Sequence, residues 1–357
     1  MKNLTLNNSS KTYLEEKKVS SRISLSKEGK IRFDLAEGLW EKSDLAPLPD
    51  RSSASLKNKL SNFFKTDASN LSIHAGADEI IEIIPRMYLD LNDRAIVIVP
   101  TFDRLLATNK KVGAEVINFE LSTTKNFRLE EEEYQGLEIA IKTKKPKIIW
   151  MCTPNNPTGQ TIDLKFIDKI SGNFPDILIV IDEAYQEYSS LNPEESAVSL
   201  LSKHDNLLII RSFSKAFALA GARLGCAISS PEIISEIENF RTMFNVSTPA
   251  QKMGIESLTP SNINLMENKI SKIREQMKRF VSKVRSLSNY ELTEDSKTNF
   301  IFIKHNSKDL FEELYKRGFV VSDWRSAPGV TGQGFVRISI NTPSLNRKIF
   351  DILEKIN

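Results

Sequence analysis

A lysine becomes a useful nucleophile when it is kept near its neutral form and held beside groups that bind what it attacks. Lys215 stands in Ser212-Phe213-Ser214-Lys215, directly after the apolar run Leu207–Ile210, and Arg223 follows in Gly221-Ala222-Arg223. An amine flanked by small hydroxyls and an arginine has the chemistry of a Schiff-base lysine beside a phosphate site. Upstream, Asp182-Glu183-Ala184-Tyr185 closes the apolar run Ile177–Ile181. A carboxylate there can sit beneath a ring nitrogen and keep it protonated, and Tyr185 can turn its hydroxyl to the same ring. The same aspartate could equally cap a helix.

Three further segments have matching chemistry. Pro154-Asn155-Asn156-Pro157-Thr158-Gly159 follows Ile148–Cys152 and is a rigid turn that can hold an asparagine amide toward a ligand oxygen. Gly76-Ala77-Asp78-Glu79 opens a helical pattern, and free N–H groups at a helix start bind phosphate well. Pro100-Thr101-Phe102 follows Ala95–Val99 and places an aromatic ring where it can stack on a flat ligand. Taken singly, these are a surface lysine, a turn, a helix start and a core phenylalanine. Their joint presence at strand ends carries the inference.

The elements needed to position them are legible as well. Short runs rich in Ile, Val and Leu alternate with amphipathic stretches from about Leu71 to Ile228, beginning with the helix Asp78–Leu89. Strands are expected at Ala95–Val99, Glu115–Phe119, Ile148–Cys152, Ile177–Ile181, Leu207–Ile210 and Gly225–Ile228. Near-continuous apolar strands separated by helices predict an α/β fold: a large domain with a mostly parallel central sheet flanked by helices. Ligands to such a sheet bind beyond the carboxyl ends of its strands.

After Pro231 the pattern changes. Charged helices are expected at Pro231–Phe244 and Asn262–Leu287, then strands at Phe300–Lys304, Phe319–Ser322 and Phe335–Ile340, with helices at Lys308–Arg317 and Leu345–Lys355. This suits a smaller α+β domain. The expected division is an N-terminal arm with part of the small domain over 1–45, the large cofactor-binding domain over 46–245, and the small C-terminal domain over 246–357.

Composition narrows the class. With 357 residues, 40% apolar and 27% charged, the chain reads as a two-domain globular protein without a membrane-length apolar run. A net charge of +3 gives no argument for nucleic acid or membrane partners. The acidic run Glu130–Glu133 and the basic run Lys142–Lys147 sit at opposite ends of one helical stretch, the charge order a helix dipole favours. Cys152 and Cys226 have no metal-ligand spacing, so buried free thiols and no metal site are expected. The polar N-terminus does not read as a secretory signal, which points to a cytoplasmic protein.

In order, the segments GADE, PTF, PNNPTG, DEAY, SFSKA and GAR, then Arg241–Asn245 (RTMFN) and Phe335–Ile340 (FVRISI), resemble the histidinol-phosphate aminotransferase family. That family lies within the fold type I, class I/II pyridoxal-phosphate-dependent aminotransferases, and the resemblance spans about residues 31–350. It implies pyridoxal 5'-phosphate as cofactor, carried by Lys215, which then shuttles the proton at the substrate α-carbon. Asp182 would pair with the ring nitrogen, and Tyr185 and Asn156 would bond the ring oxygen. Gly76, Ala77, Asp78, Ser212, Ser214 and Arg223 would build the phosphate site, with Phe102 over the ring. Arg337, and Asn156 beside it, would meet the substrate.

The resemblance further implies a homodimer that acts on small molecules. Its reaction would be transamination between an amino donor, the glutamate/2-oxoglutarate pair, and a small, phosphorylated or unphosphorylated carbonyl substrate. The alternative is a decarboxylase resembling threonine-phosphate decarboxylase, which shares nearly all these cofactor residues. Two positions depart from the family pattern: Leu48 replaces a tyrosine, and Ser322 replaces an arginine for which Arg325 is the nearest substitute.

Overall fold

The computed structural model describes residues 5–20, 45 and 48–357. The start of the family resemblance at residue 31, and most of the arm expected over 1–45, lie outside the described residues.

Among the described residues, the larger sheet has seven strands: β1 (Leu71–His74), β2 (Arg94–Val99), β3 (Glu115–Glu120), β4 (Ile148–Cys152), β5 (Leu178–Asp182), β6 (Leu207–Ser212) and β7 (Gly225–Ser229). Their order is β1-β7-β6-β5-β4-β2-β3. β2 to β6 pair in parallel, while β7 runs antiparallel to both β6 and β1. β4, β5 and β6 are buried throughout, as strands covered on both faces must be. Alternate side chains feed two separate cores. Ile179 and Ile181 join one, Leu178 and Val180 the other. Each such side chain contributes roughly 1.5–3 kcal/mol by leaving water.

Helices cover both faces. Ala77–Tyr88 buries Ile80, Ile81 and Ile84 along one stripe. Glu131–Lys144 begins with three glutamates and ends with lysines, the charge order expected of it. The helix Asn8–Ser20 docks on this layer: the Asn7 side chain donates to the Arg86 and Leu89 carbonyls at 2.7 and 2.8 Å.

The smaller sheet contains β8 (Tyr290–Leu292), β9 (Phe300–His305), β10 (Ser322–Asp323) and β11 (Val336–Ser339), in the antiparallel order β10-β11-β9-β8. The long helix Pro260–Arg285 and the last helix Pro343–Ile356 pack on it around Phe280, Ile301 and Leu353. The strand expected at Phe319–Ser322 is reduced to its end. Gly318 takes a φ of +83°, and the N–H groups of Gly318 and Phe319 bond the carbonyls of Tyr315 and Leu314. Those donors close the helix Leu310–Lys316 and are lost to the ladder. The helix expected to Phe244 stops at Phe240, because Arg241 leaves helical geometry and turns its guanidinium onto Glu238.

Candidate active site

Because β7 alone runs against its neighbours, the segment entering it lies at the edge where the parallel strands leave. That edge gathers the chemistry. Ala77 and Asp78 follow β1, Phe102 follows β2, and Asn156 follows β4. Asp182 ends β5, with Ala184 and Tyr185 just beyond; Ser212 ends β6, followed by Ser214 and Lys215; Arg223 precedes β7. All of them line one cavity of about 180 Å³, joined by Ile81 and Ala220. The register supports this convergence: Cys152 lies opposite Asp182, and Ser212 opposite Gly225.

Two glycines let the parts approach. Gly76, the helix cap with a φ of +87°, does not line the cavity but backs onto it. A Cβ there would stand 2.6 Å from the Arg223 guanidinium. A Cβ on Gly225 would stand 2.6 Å from the Ala77 nitrogen. Arg223 itself bonds Asp78 Oδ2 at 3.0 Å and the Ala220 carbonyl at 3.0 Å, leaving it half exposed at the cavity mouth. First-turn N–H groups such as those of Ala77 and Asp78 have no carbonyl of their own helix to bond.

Asp182 is buried and accepts the Ala184 N–H on Oδ1 at 3.0 Å. Burial pushes its carboxyl up to about 6, despite that bond and the nearby Lys215 ammonium. Lys215 reaches solvent through the cavity mouth, with its Nζ 5.4 Å from the Tyr185 ring centre. Surrounding protein pushes its ammonium below the usual lysine range, and Arg337 adds to this. Arg223 contributes in the same direction but ranks below Arg337, although the sequence points to Arg223 first. Burial raises the Tyr185 phenol to about 12, so it remains a donor at neutral pH.

Arg337, on the other sheet, does not itself line the cavity but reaches Asn156 in its wall. Its Nη1 donates to Asn156 Oδ1 at 2.5 Å, its guanidinium lies 4.9 Å from the Phe300 ring centre, and its buried Nε has no partner among the described residues. Phe300 also meets Tyr185 edge-on at 5.2 Å. The sequence does not single out Phe300, since a phenylalanine opening a strand looks like core.

Arg325 does not line the cavity. It bonds Asp309 at 2.5 Å and Asp323 at 2.8 Å, and lies over Phe311 at 4.5 Å. Ser322 accepts from the Trp324 indole at 3.0 Å, and Leu48 is 44% exposed. The sequence does not single out the buried triad of Arg211 with Glu183 and Glu187. The available signal was an arginine inside an otherwise apolar strand, which must be paired.

The raised Asp182 value has a thermodynamic consequence. A carboxyl whose folded value lies above its ordinary one near 3.8 favours the fold while protonated, and that contribution is lost as pH rises from about 4 through about 6. Without cofactor, the wild-type chain should therefore lose roughly 2 kcal/mol relative to Asp182→Asn between pH 4 and 7. Paired denaturation curves check this; parallel pH profiles would refute it.

The comparisons with known proteins agree with this geometry. The family model described as aminotransferase class I and II matches residues 30–353. The histidinol-phosphate aminotransferase of Ruminiclostridium cellulolyticum is 31% identical over 330 residues, covering 91% of this chain and 88% of its own. The crystal structure of the histidinol-phosphate aminotransferase from Clostridium acetobutylicum is similar in fold, with a TM-score of 0.79, 23% identity, and coverage of 99% of this chain and 97% of that one. The L-threonine-O-3-phosphate decarboxylase of Porphyromonas gingivalis also shares the fold, with a TM-score of 0.70, 18% identity, and coverage of 87% and 93%. The match over nearly the whole length places the chain in the class I and II aminotransferase family, the pyridoxal-phosphate-dependent transaminases.

Proposed function

We propose that this enzyme moves an amino group between the glutamate/2-oxoglutarate pair and a small carbonyl substrate bearing an anionic group, with Lys215 as the residue that carries pyridoxal phosphate. The carrying observation is the convergence of Lys215, Asp182, Tyr185, Asn156 and Arg223 on one cavity at the strand ends. The donor set fits the cofactor. A buried carboxylate suits a cationic ring nitrogen, and a phenol with an amide suits a ring oxygen. An arginine, two serines and a helix start whose glycine cannot bear a Cβ suit a phosphate.

Bound pyridoxal phosphate supplies a protonated ring that accepts the electrons freed at the substrate α-carbon. The rest falls to the chain. Asp182 holds the positive charge on the ring nitrogen, and that charge in turn keeps its own carboxyl ionised. Tyr185 and Asn156 bond the ring oxygen. Ser212, Ser214, Arg223 and the N–H groups of Ala77 and Asp78 hold the phosphate, while Phe102 stacks on the ring. Lys215, kept below the usual lysine range, takes the α-proton as a neutral amine and returns it. Arg337 binds the substrate anion; its bond to Asn156 couples substrate orientation to the ring oxygen's partner.

We read the protein as a homodimer, supported by the exposed apolar side chains of Met243, Phe244 and Met253. The substrate anion is phosphorylated, as the relatives' name implies for them, or a carboxylate. With Arg325 held by Asp309 and Asp323, Arg337 is the arginine assigned to it.

Adding glutamate without an acceptor to the cofactor-loaded enzyme should replace the visible absorption of the lysine-bound cofactor with a shorter-wavelength band. Persistence of the band, together with carbon dioxide release from an amino acid substrate, would shift the assignment to a decarboxylase.

A further inference from the structure

Glu79 lies in the first turn of the helix Ala77–Tyr88, and a single one of its oxygens gathers groups from three directions. Oε2 accepts the Ala75 N–H at 2.6 Å and Asn245 Nδ2 at 2.8 Å, and His74 Nδ1 lies 3.3 Å away. Burial pushes its carboxyl up, but His74, the Ala75 N–H and Asn245 outweigh this and hold it below the usual glutamate range. Such charge-assisted bonds are short and directional.

Asn245 is itself held. Its Oδ1 accepts Arg241 Nη1 at 2.6 Å, and its Nδ2 also reaches the Ile73 carbonyl at 3.2 Å. Arg241, 2% exposed, donates to Glu238 at 2.6 Å and to the Arg51 carbonyl at 2.7 Å. Lys57 closes the line on Glu238 at 2.7 Å. A local helix cap would need Glu79 and Ala75 alone. Here a segment 166 positions away is dedicated to aiming the carboxylate.

The residue so anchored is the one before Gly76. Gly76 carries a φ of +87° and packs so tightly that a Cβ would meet Arg223 at 2.6 Å. A small displacement of Ala75 would therefore swing the Ala77 and Asp78 N–H groups relative to the guanidinium that shares their ligand.

We infer that Glu79, oriented by Asn245 and Arg241, is a positioning residue for the phosphate cradle, fixing Ala75 so that the Ala77 and Asp78 N–H groups stay aimed beside Arg223. This rests on reading that cradle as the cofactor's phosphate site. Glu79 does not line the cavity, so its removal should affect the phosphate site and leave the ring's other contacts alone.

The test uses the full chain, stripped of cofactor and titrated with two probes, pyridoxal phosphate and pyridoxal. Glu79→Ala and Asn245→Ala should each weaken pyridoxal phosphate binding about 10- to 100-fold while leaving pyridoxal within about twofold of wild type. Glu79→Gln, which keeps an acceptor for the Ala75 N–H, should recover most of the loss. Equal weakening of both probes would make Glu79 a folding residue only, and weakening of neither would remove its role; both overturn the inference. If Glu79→Ala does not fold, Asn245→Ala decides by the same ratio. Arg223→Ala is the separate check on the cradle, since it should lose pyridoxal phosphate selectively. If it does not discriminate the probes, the cradle reading itself fails, whatever Glu79 does.

Discussion

Replacing Lys215 with alanine should lower turnover roughly 10⁴-fold and abolish the visible absorption of the lysine-bound cofactor, while the protein stays folded. The size follows from the two duties proposed for this one nitrogen, carrying the cofactor and moving the α-proton. The fold should tolerate the change because the side chain extends toward solvent at the cavity mouth, and the ring it lies over, Tyr185, is held by Phe300 independently. Added methylamine should restore part of the proton transfer by standing in for the missing amine. Retention of more than about a tenth of wild-type kcat would place the chemistry elsewhere, since a lost general base alone costs about 10²-fold or more.

The second large effect is on stability. Arg211→Met should destabilise the protein by about 3–5 kcal/mol at pH 7. Arg211 is 4% exposed, and its guanidinium bonds Glu183 at 3.1 Å and Glu187 at 2.5 Å, lying over the Phe64 ring. Without the cation two carboxylates remain deep in the protein. Glu183 keeps the Ser196 hydroxyl at 2.5 Å and the Ala197 N–H at 2.7 Å, whereas one Glu187 oxygen already has no partner among the described residues. Burial raises the Glu183 carboxyl even with Arg211 present. A raised carboxyl favours the fold at low pH and loses that contribution as pH rises, so the defect should shrink in acid. Converting Glu183 and Glu187 to glutamine in the same chain should recover much of the loss. A denaturant-measured change below about 1 kcal/mol at pH 7 would show that the triad relaxes or takes up water instead.

What could be read from the sequence, and what could not, divides by the range of the interactions. The parallel strands are legible because each is an apolar run covered on both sides, and burial alone dictates that composition. The cavity residues are legible because they stand at the ends of those runs. Asp182 and Ser212 end β5 and β6, and Asn156 and Phe102 lie just past β4 and β2. Arg325 shows the limit. Its neighbourhood in sequence suggests a substitute for the missing arginine, yet Asp309, which lies 16 residues earlier, claims it. The Glu79 line was equally hidden, since GADE and RTMFN each look complete until Asn245 is seen on Glu79. The shortened strand at Ser322 was missed for a local reason: a glycine after a helix spends donors that a ladder would need.

The reversed strand β7 also has a consequence for how the protein comes off the ribosome. β7 pairs with β6, its neighbour in sequence, but also with β1, bringing Leu71 opposite Ile228. A nascent chain complete through β6 already contains the strand that leads to Lys215, yet the helix start after β1 has no seat beside Arg223 until β7 emerges and bridges the two. That bridge is a long-range contact of the kind that forms slowly. On the proposed reading of this helix start as the phosphate cradle, affinity for the cofactor's phosphate should therefore appear late in synthesis and abruptly.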